Sequence, residues 1–347
     1  MILAGDIGGT NTRLALVEAT GEELRIVAQE TFPSRERTSL EAAIAEFLHL
    51  HNYDLTSASF GIAGPVKNGR CEATNLPWVV DAKIVAKRLR LKHVGLINDL
   101  EANAYGITVL QSKDFVILNK GARNASGNMA VISAGTGLGE AGLYWDGERH
   151  HPFPSEGGHA DFAPRNHLEA ELLSYCMNRY RRVSYERLVS GPGLVNIYHF
   201  LRDTGKGKEP EWLAEQMRHG DPAPIISQHA LEGKVLMCLQ ALEIFVSLYG
   251  AEAGNLTLKL MATGGVYLGG GIAPKIVPKL KEPEFMNAFT AKGRMRPLLQ
   301  DIPVRVIMNP KTALLGAARH AALELGEVNS AAFGRNQNDS PQRRRER

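Results

Sequence analysis

Cysteine is scarce. The chain of 347 residues has three, Cys71, Cys176 and Cys238, far apart and in no CxxC pair. An odd number so spread excludes a disulfide framework and a structural zinc site, and it fits a reducing cytosol. Charge of one sign is lacking too: the formal net charge is +3, resting partly on the closing QRRRER, where Arg343, Arg344, Arg345 and Arg347 outweigh Glu346. The body of the chain is near neutral and shows no basic face with interleaved aromatics, so no nucleic-acid partner is expected. Long apolar runs are missing as well. The richest stretch, residues 235–249, is broken by Gln240 and Glu243 and suits a buried helix, so no membrane partner is expected. The start, MILAGDIGG, is apolar for only four residues without a charged n-region, which predicts no signal peptide and a cytoplasmic location. GxxxxGK[ST] does not occur, which excludes a P-loop.

What is present is an ordinary globular composition, 44% hydrophobic and 22% charged, in a chain long enough for two domains with a cleft between them. ILAG, TRLALVEA and RIVAQETF, punctuated by Gly8, Gly9 and Gly21, predict an antiparallel meander. SLEAAIAEFLHLH predicts a helix capped by Ser39, with Leu40, Ile44, Phe47, Leu48 and His51 at helical spacing, and SASFGIAG a strand. Asp81 is expected to cap a helix running to about Leu91. HVGLIN and FVILN read as further strands. From Met129 the opening plan repeats: AVISAGTGLGEAGLYWDGERHH follows ILAGDIGGTNTRLALVEATGEEL in strand, glycine turn and strand, as in a duplicated chain. Asp146-Gly147 predicts a type I′ hairpin turn. Residues 167–249 read as mostly helical, and ATGGVYLGGGIAPKIVPKL as a strand entering a helix through three glycines. PVRVIM and TALLGAARHAALELG add a strand and a helix. The expected organisation is a small α/β domain (1–110 plus 312–326), a large α/β domain (111–311) and a disordered tail (327–347).

GLGEAG matches GxGxxG after a strand, but a Rossmann turn must open a helix, whereas GLYWDGER alternates as a strand does. The glycine turns make better sense as a pair. GDIGGTN (Gly5, Asp6, Ile7, Gly8, Gly9, Thr10, Asn11) and AGTGLG (with Gly135, Thr136 and Gly137) occupy equivalent places in the two halves. Turns without bulky side chains let backbone N–H groups approach phosphate oxygens, so the pair can hold a polyphosphate. Asp6 is then the candidate acid for Mg²⁺, through water. The alternative is that both are merely tight hairpins. LINDLEANAYG puts Asp99 where an apolar strand stops and a helix begins, a place for chemistry in α/β sheets. It is also a place for an Asp that caps the helix.

In this order, GDIGGTN, LINDLEA, AGTGLG, EGGHADFAP, YERLVSGPGLVN and LGGGIAP resemble the bacterial glucokinase family of the sugar kinase and actin superfamily, over roughly residues 3 to 326. The resemblance implies a duplicated, actin-like (ribonuclease H-like) α/β fold of two domains with ATP and Mg²⁺ in the interdomain cleft, and phosphoryl transfer to the 6-hydroxyl of glucose. It implies that Asp99 is the catalytic base, that Asn98, Glu156, His159 and Glu186 bind sugar, and that Gly269, Gly270 and Gly271 form the adenosine-facing turn. Carboxylate, amide and imidazole groups suit a ring of hydroxyls. Asn75, in ATNLPW, is a further sugar-facing candidate, with a turn-forming role as its alternative. Relatives with a cysteine-rich zinc motif carry it where this chain has ADFAP, so zinc is not expected. A homodimer is suggested by the resemblance alone. Two other functions stay open at this point: another hexokinase, using mannose, glucosamine or a polyphosphate donor, and a sugar-binding regulator without turnover. Against the regulator stand Asp6 and Asp99 and the lack of a helix-turn-helix extension.

Overall fold

A computed structural model describes residues 1–326 apart from Glu22, Asn52, Thr74 and Asn75; the expected tail and Asn75 lie outside the described residues. The chain opens with β1 (Ile2–Ile7), β2 (Asn11–Thr20) and β3 (Glu23–Pro33), then α1 (Leu40–Leu50), β4 (Ser57–Ile62), β5 (Arg70–Glu72), β6 (Val79–Asp81), α2 (Ala82–Leu89), β7 (Gly95–Asn98) and α3 (Asp99–Ile107). It continues with β8 (Phe115–Asn119), β9 (Met129–Ala134), β10 (Leu138–Trp145), β11 (His150–Ser155), α4 (His167–Met177), α5 (Gly191–Asp203), α6 (Glu211–His219), α7 (Pro222–Leu231) and α8 (Leu236–Leu260). It closes with β12 (Gly265–Gly269), α9 (Val277–Leu280), α10 (Pro283–Thr290), α11 (Arg296–Gln300), β13 (Val304–Ile307) and α12 (Thr312–Leu325). Two compact units result: Met1–Gln111 with Trp145–Pro152 and the described residues from Pro310 to Gly326, and Ser112–Tyr144 with Phe153–Asn309.

In the first unit the sheet order is β3-β2-β1-β4-β7, an antiparallel meander continued by two parallel strands. Alternate residues of β1 and β2 enter two different cores. Leu3, Ile7, Leu14 and Leu16 pack with Phe47 of α1 and Val85 of α2, whereas Ile2, Ala4, Ala15 and Val17 pack with Leu314, Ala317, Ala318 and Ala321 of α12. A sheet covered on both faces explains why these strands read as nearly continuous apolar runs. The small residues facing α12 allow close approach.

Helices α3 and α12 meet backbone to backbone. A Cβ at Gly316 would stand 1.7 Å from the Ala102 carbonyl oxygen, and one at Gly106 would stand 2.1 Å from that of Thr312. Gly316→Ala therefore forces α3 away from α12 and should cost about 1–3 kcal/mol of stability, as overpacking does. Thermal melting checks this, and an unchanged Tm would mean that the two helices do not touch here.

The second sheet, most of it in the second unit, repeats the plan in the order β11-β10-β9-β12-β13-β8, with β10 antiparallel to β9 and β12 parallel to both β9 and β13. β10 pairs along its length as a strand, so GLGEAG does not open a helix. The unit's core surrounds α8, whose length and apolarity would suffice to cross a membrane. Its buried residues include Met237, Cys238, Ala241, Leu242, Phe245 and Tyr249, packed among residues of α5, α7 and α10. It is a core helix, as the interruptions at Gln240 and Glu243 suggested.

The β10–β11 hairpin corrects one expectation. A type I′ turn needs positive φ at both central residues. Only Gly147 has it, at 105°. The loop instead spans residues 146–149, where the Asp146 carboxylate accepts the N–H groups of Glu148 and Arg149 at 2.8 Å each and holds its own pKa well below the usual range by doing so. An aspartate that bonds its own downstream backbone makes a turn without adopting the left-handed conformation.

Candidate active site

Strand β7 ends at Asn98 because its pairing with β4 ends there, at Ile62. Asn98, not Asp99, is the N-cap of α3: its Oδ1 accepts the Leu100 N–H at 2.9 Å, while its Nδ2 donates to the Gly64 carbonyl at 3.1 Å. Asp99 is the first helical residue. Its Oδ1 also accepts from Leu100 N–H, at 3.0 Å, and its carbonyl accepts from Asn103 Nδ2 at 2.9 Å. The positive end of the helix dipole favours the ionised carboxylate there. Gly61 on β4 lets α3 sit close, since a Cβ there would be 2.7 Å from Ala102 Cβ and 3.8 Å from Asp99 Cα. The nearby Cys71 thiol is pushed up by its burial and then by the charges of Asp99 and Glu72.

The first glycine turn is closed by Gly8 N–H donating to the Asn11 carbonyl at 2.9 Å. Ser34, from beyond β3, ties it down: its Oγ donates to the Gly8 carbonyl at 2.7 Å, and its N–H donates to the Thr10 carbonyl at 2.9 Å. Thr10 and Asn11 are exposed, whereas the Ile7 side chain is in the core. Asp6 pairs across the strands with Arg13, Oδ2 to Nη1 at 3.1 Å. Burial pushes its carboxyl above the usual carboxylate range, against the pull of Arg13. A part-buried carboxylate whose charge is disfavoured by burial fits a hydrated Mg²⁺, which needs only one or two protein carboxylates beside phosphate and water.

In the second unit three glycine-rich segments meet. Gly135 N–H donates to the Gly137 carbonyl at 2.8 Å, Gly191 N–H donates to the Gly135 carbonyl at 2.8 Å, and Ile272 N–H reaches the Ala134 carbonyl at 3.2 Å. Thr136 is exposed between its neighbours. Gly270 has φ of 80° and stands against the Ala134 carbonyl, where a Cβ would come within 2.3 Å. Gly269 packs on Ser133, and Gly271 is open. The end of β9, the end of β12 and the amino terminus of α5 thus form one bare backbone surface, and such surfaces suit anions.

The EGGH stretch follows β11 as a short 3-10 turn over Gly157–His159, and Glu186 lies in another, Tyr185–Arg187. The turns bring the three sugar candidates together. His159 Nδ1 is 3.7 Å from Glu186 Oε1, and His159 Nε2 is 3.9 Å from Glu156 Oε2. Glu156 and His159 are largely exposed and Glu186 is partly buried. Glu186 also reaches the phosphate-type turn, because its Oε2 accepts the Leu138 N–H at 3.0 Å, and Gly137 must lack a side chain to admit it. Arg182 anchors the His159 carbonyl and Asp161, both at 2.7 Å. Ser190 caps α5 and donates to the Glu186 carbonyl at 2.7 Å. The Ser-Gly-Pro-Gly signature carried the signal for that cap; nothing in the sequence pointed to Arg182 or Ser34.

The glucokinase family model matches residues 3–324. The glucokinase of Trichormus variabilis is 44% identical over 338 residues, covering 93% of this chain and 99% of its own. A crystal structure of a glucokinase from an Antarctic psychrotroph superposes with a TM-score of 0.81 at 32% identity, over 93% of this chain and 98% of the other. A ROK family glucokinase from Streptomyces griseus, solved with glucose and AMPPNP, shares the fold at a TM-score of 0.63 and 20% identity, over 93% and 99%. With the match running from β1 to α12, the chain belongs to the glucokinase family and is a hexose kinase on the duplicated actin-like α/β fold.

Proposed function

We propose that the protein transfers the γ-phosphoryl group of ATP to the 6-hydroxyl of D-glucose, the entry step of glycolysis, in the cytoplasm and as a homodimer. The observation that carries the reading is the setting of Asp99, a carboxylate at the carboxyl end of a parallel strand whose capping work is done by Asn98. Asp99 accepts the proton of the 6-hydroxyl as its oxygen bonds to phosphorus and the bond to ADP breaks; the proton then passes to solvent. Phosphoryl transfer is loose, so Asp99 chiefly orients the hydroxyl and takes its proton late. Glu156, His159 and Glu186 bind ring hydroxyls, with Asn98 and Asn75 as further sugar contacts. The turns at Gly5–Asn11, Gly135–Gly137 and Gly269–Gly271 offer backbone to ATP. Asp6 would hold Mg²⁺, through water, and the ion would neutralise phosphate charge. The first and second units are read as the small and large domains.

A panel of hexoses with ATP tests the substrate. Glucose should give the highest kcat/KM, because a site built to pair with particular hydroxyls rejects analogues lacking them. Equal or higher kcat/KM with mannose or glucosamine, or turnover with polyphosphate alone, would establish the other hexokinase instead.

A further inference from the structure

Two carboxylates stand buried beneath the sugar turns. Glu140 on β10 is 1% exposed and Glu252 on α8 is 0% exposed. They interact directly, and as a carboxylate Glu140 leaves its Oε1 without a hydrogen-bond partner. Lys259 Nζ stands 3.4 Å from Glu252 Oε1 and Asn255 Nδ2 donates to Glu252 Oε2 at 2.7 Å. Tyr249, the other titratable neighbour on α8, donates its hydroxyl to the Ile132 carbonyl. Lys292, whose ammonium bonds the Ala251 carbonyl and Asn255 Oδ1, completes the charged surroundings, with Arg165 and Glu169 behind it. Like charges held this closely in a dry place cannot both ionise without a large cost, and one shared proton relieves it.

Both sugar turns rest on this pair. A Cβ on Gly157 would fall 2.0 Å from Glu140 Oε2, so the carboxyl stands with Oε2 against the backbone of the EGGH turn. On the other side Asn255, held by Glu252, donates to Tyr185 Oη at 3.1 Å, next to Glu186. We propose that Glu140 and Glu252 share a single proton and that Glu140 is a positioning residue, the singly charged pair seating the Gly157–His159 and Tyr185–Arg187 turns for glucose. This rests on Glu156, His159 and Glu186 being the sugar ligands. Removing the proton places a second negative charge in the buried space, drives the carboxyls apart and displaces the turn lying on Glu140.

Burial, and then the charge of Glu252, push Glu140 up to about 8, with Lys259 pulling the other way. The glucose KM of the unmodified protein should therefore rise about tenfold or more between about pH 7 and about pH 9.5, while the KM for ATP changes much less. Glu140→Gln donates permanently from its amide to Glu252 and should keep a low, flat glucose KM; Glu140→Ala should raise it at every pH. A second readout is independent of sugar. A carboxyl with a raised folded-state pKa contributes stability that is complete below its unfolded value of 4.5 and is lost as pH rises through about 8. The Tm of the unmodified protein should thus fall across that window relative to Glu140→Gln. Parallel KM profiles in the two proteins, or a Tm difference that stays constant with pH, would overturn the proposal. Glu156→Ala at about pH 7 separates the two levels: a raised glucose KM with parallel Glu140→Gln profiles sinks the shared proton alone, and an unchanged KM sinks the sugar-site reading and the positioning role with it.

Discussion

Asp99→Asn should lower kcat on glucose by about 10² to 10⁴ while glucose still binds and Tm hardly moves. The substitution is isosteric and keeps an oxygen able to accept the Leu100 N–H that Asp99 Oδ1 now shares with Asn98. The cap itself is untouched, since it belongs to Asn98. What is lost is the base and one charge at the head of α3, the latter worth about 0.3–1 kcal/mol. Steady-state kinetics, glucose titration calorimetry and thermal melting on one preparation separate these effects. Residual activity is expected, because positioning and charge stabilisation survive the change. A variant that turns over near the wild-type rate would remove Asp99 from the chemistry, and a large drop in Tm would make it a structural residue after all.

Glu186→Ala should damage the use of both substrates, cutting kcat/KM by about 10²-fold or more, as expected when a charged hydrogen bond of roughly 1.5–3 kcal/mol and a sugar contact vanish together. The reason is geometric. One oxygen holds the Leu138 N–H at the end of the phosphate-type turn and the other faces His159. Removal leaves that N–H unpaired and opens space beside Gly137, where the carboxylate now sits. His159→Ala is the control: it lacks any bond to the turn and should raise the glucose KM alone. Initial rates with each substrate varied in turn make the comparison. An unchanged ATP KM in Glu186→Ala would mean that the Leu138 bond plays no part in nucleotide binding.

Much of this was legible from residues. The duplicated strand and glycine-turn plan forecast two like sheets because alternation and turn chemistry are local properties, and the helix caps at Ser39 and Asp81 stand where their side chains predicted. The cap of α3 was not decided by sequence. Asn and Asp cap equally well, and the choice falls to whichever residue the strand pairing leaves at the boundary. The Asp146 turn escaped because a side-chain bond replaced the backbone conformation that the dipeptide suggested. Glu186 was tied to sugar by resemblance, but its grip on Leu138 joins segments distant in sequence, as does the hold of Ser34 on the first turn. The facing of Glu140 and Glu252 likewise depends on how α8 packs against β9, the neighbour of β10 in the sheet, which no periodicity reveals.

The most direct measurement of the central claim is a paired assay with ATP, Mg²⁺ and glucose that scores ADP and sugar phosphate in the same reaction, with the phosphorylated carbon assigned by NMR. The account predicts one glucose 6-phosphate for each ADP, strict dependence on glucose, and a parallel fall of both products by about 10² to 10⁴ in Asp99→Asn. Glucose binding without any sugar phosphate, or ADP released at the same rate with and without glucose, would contradict it.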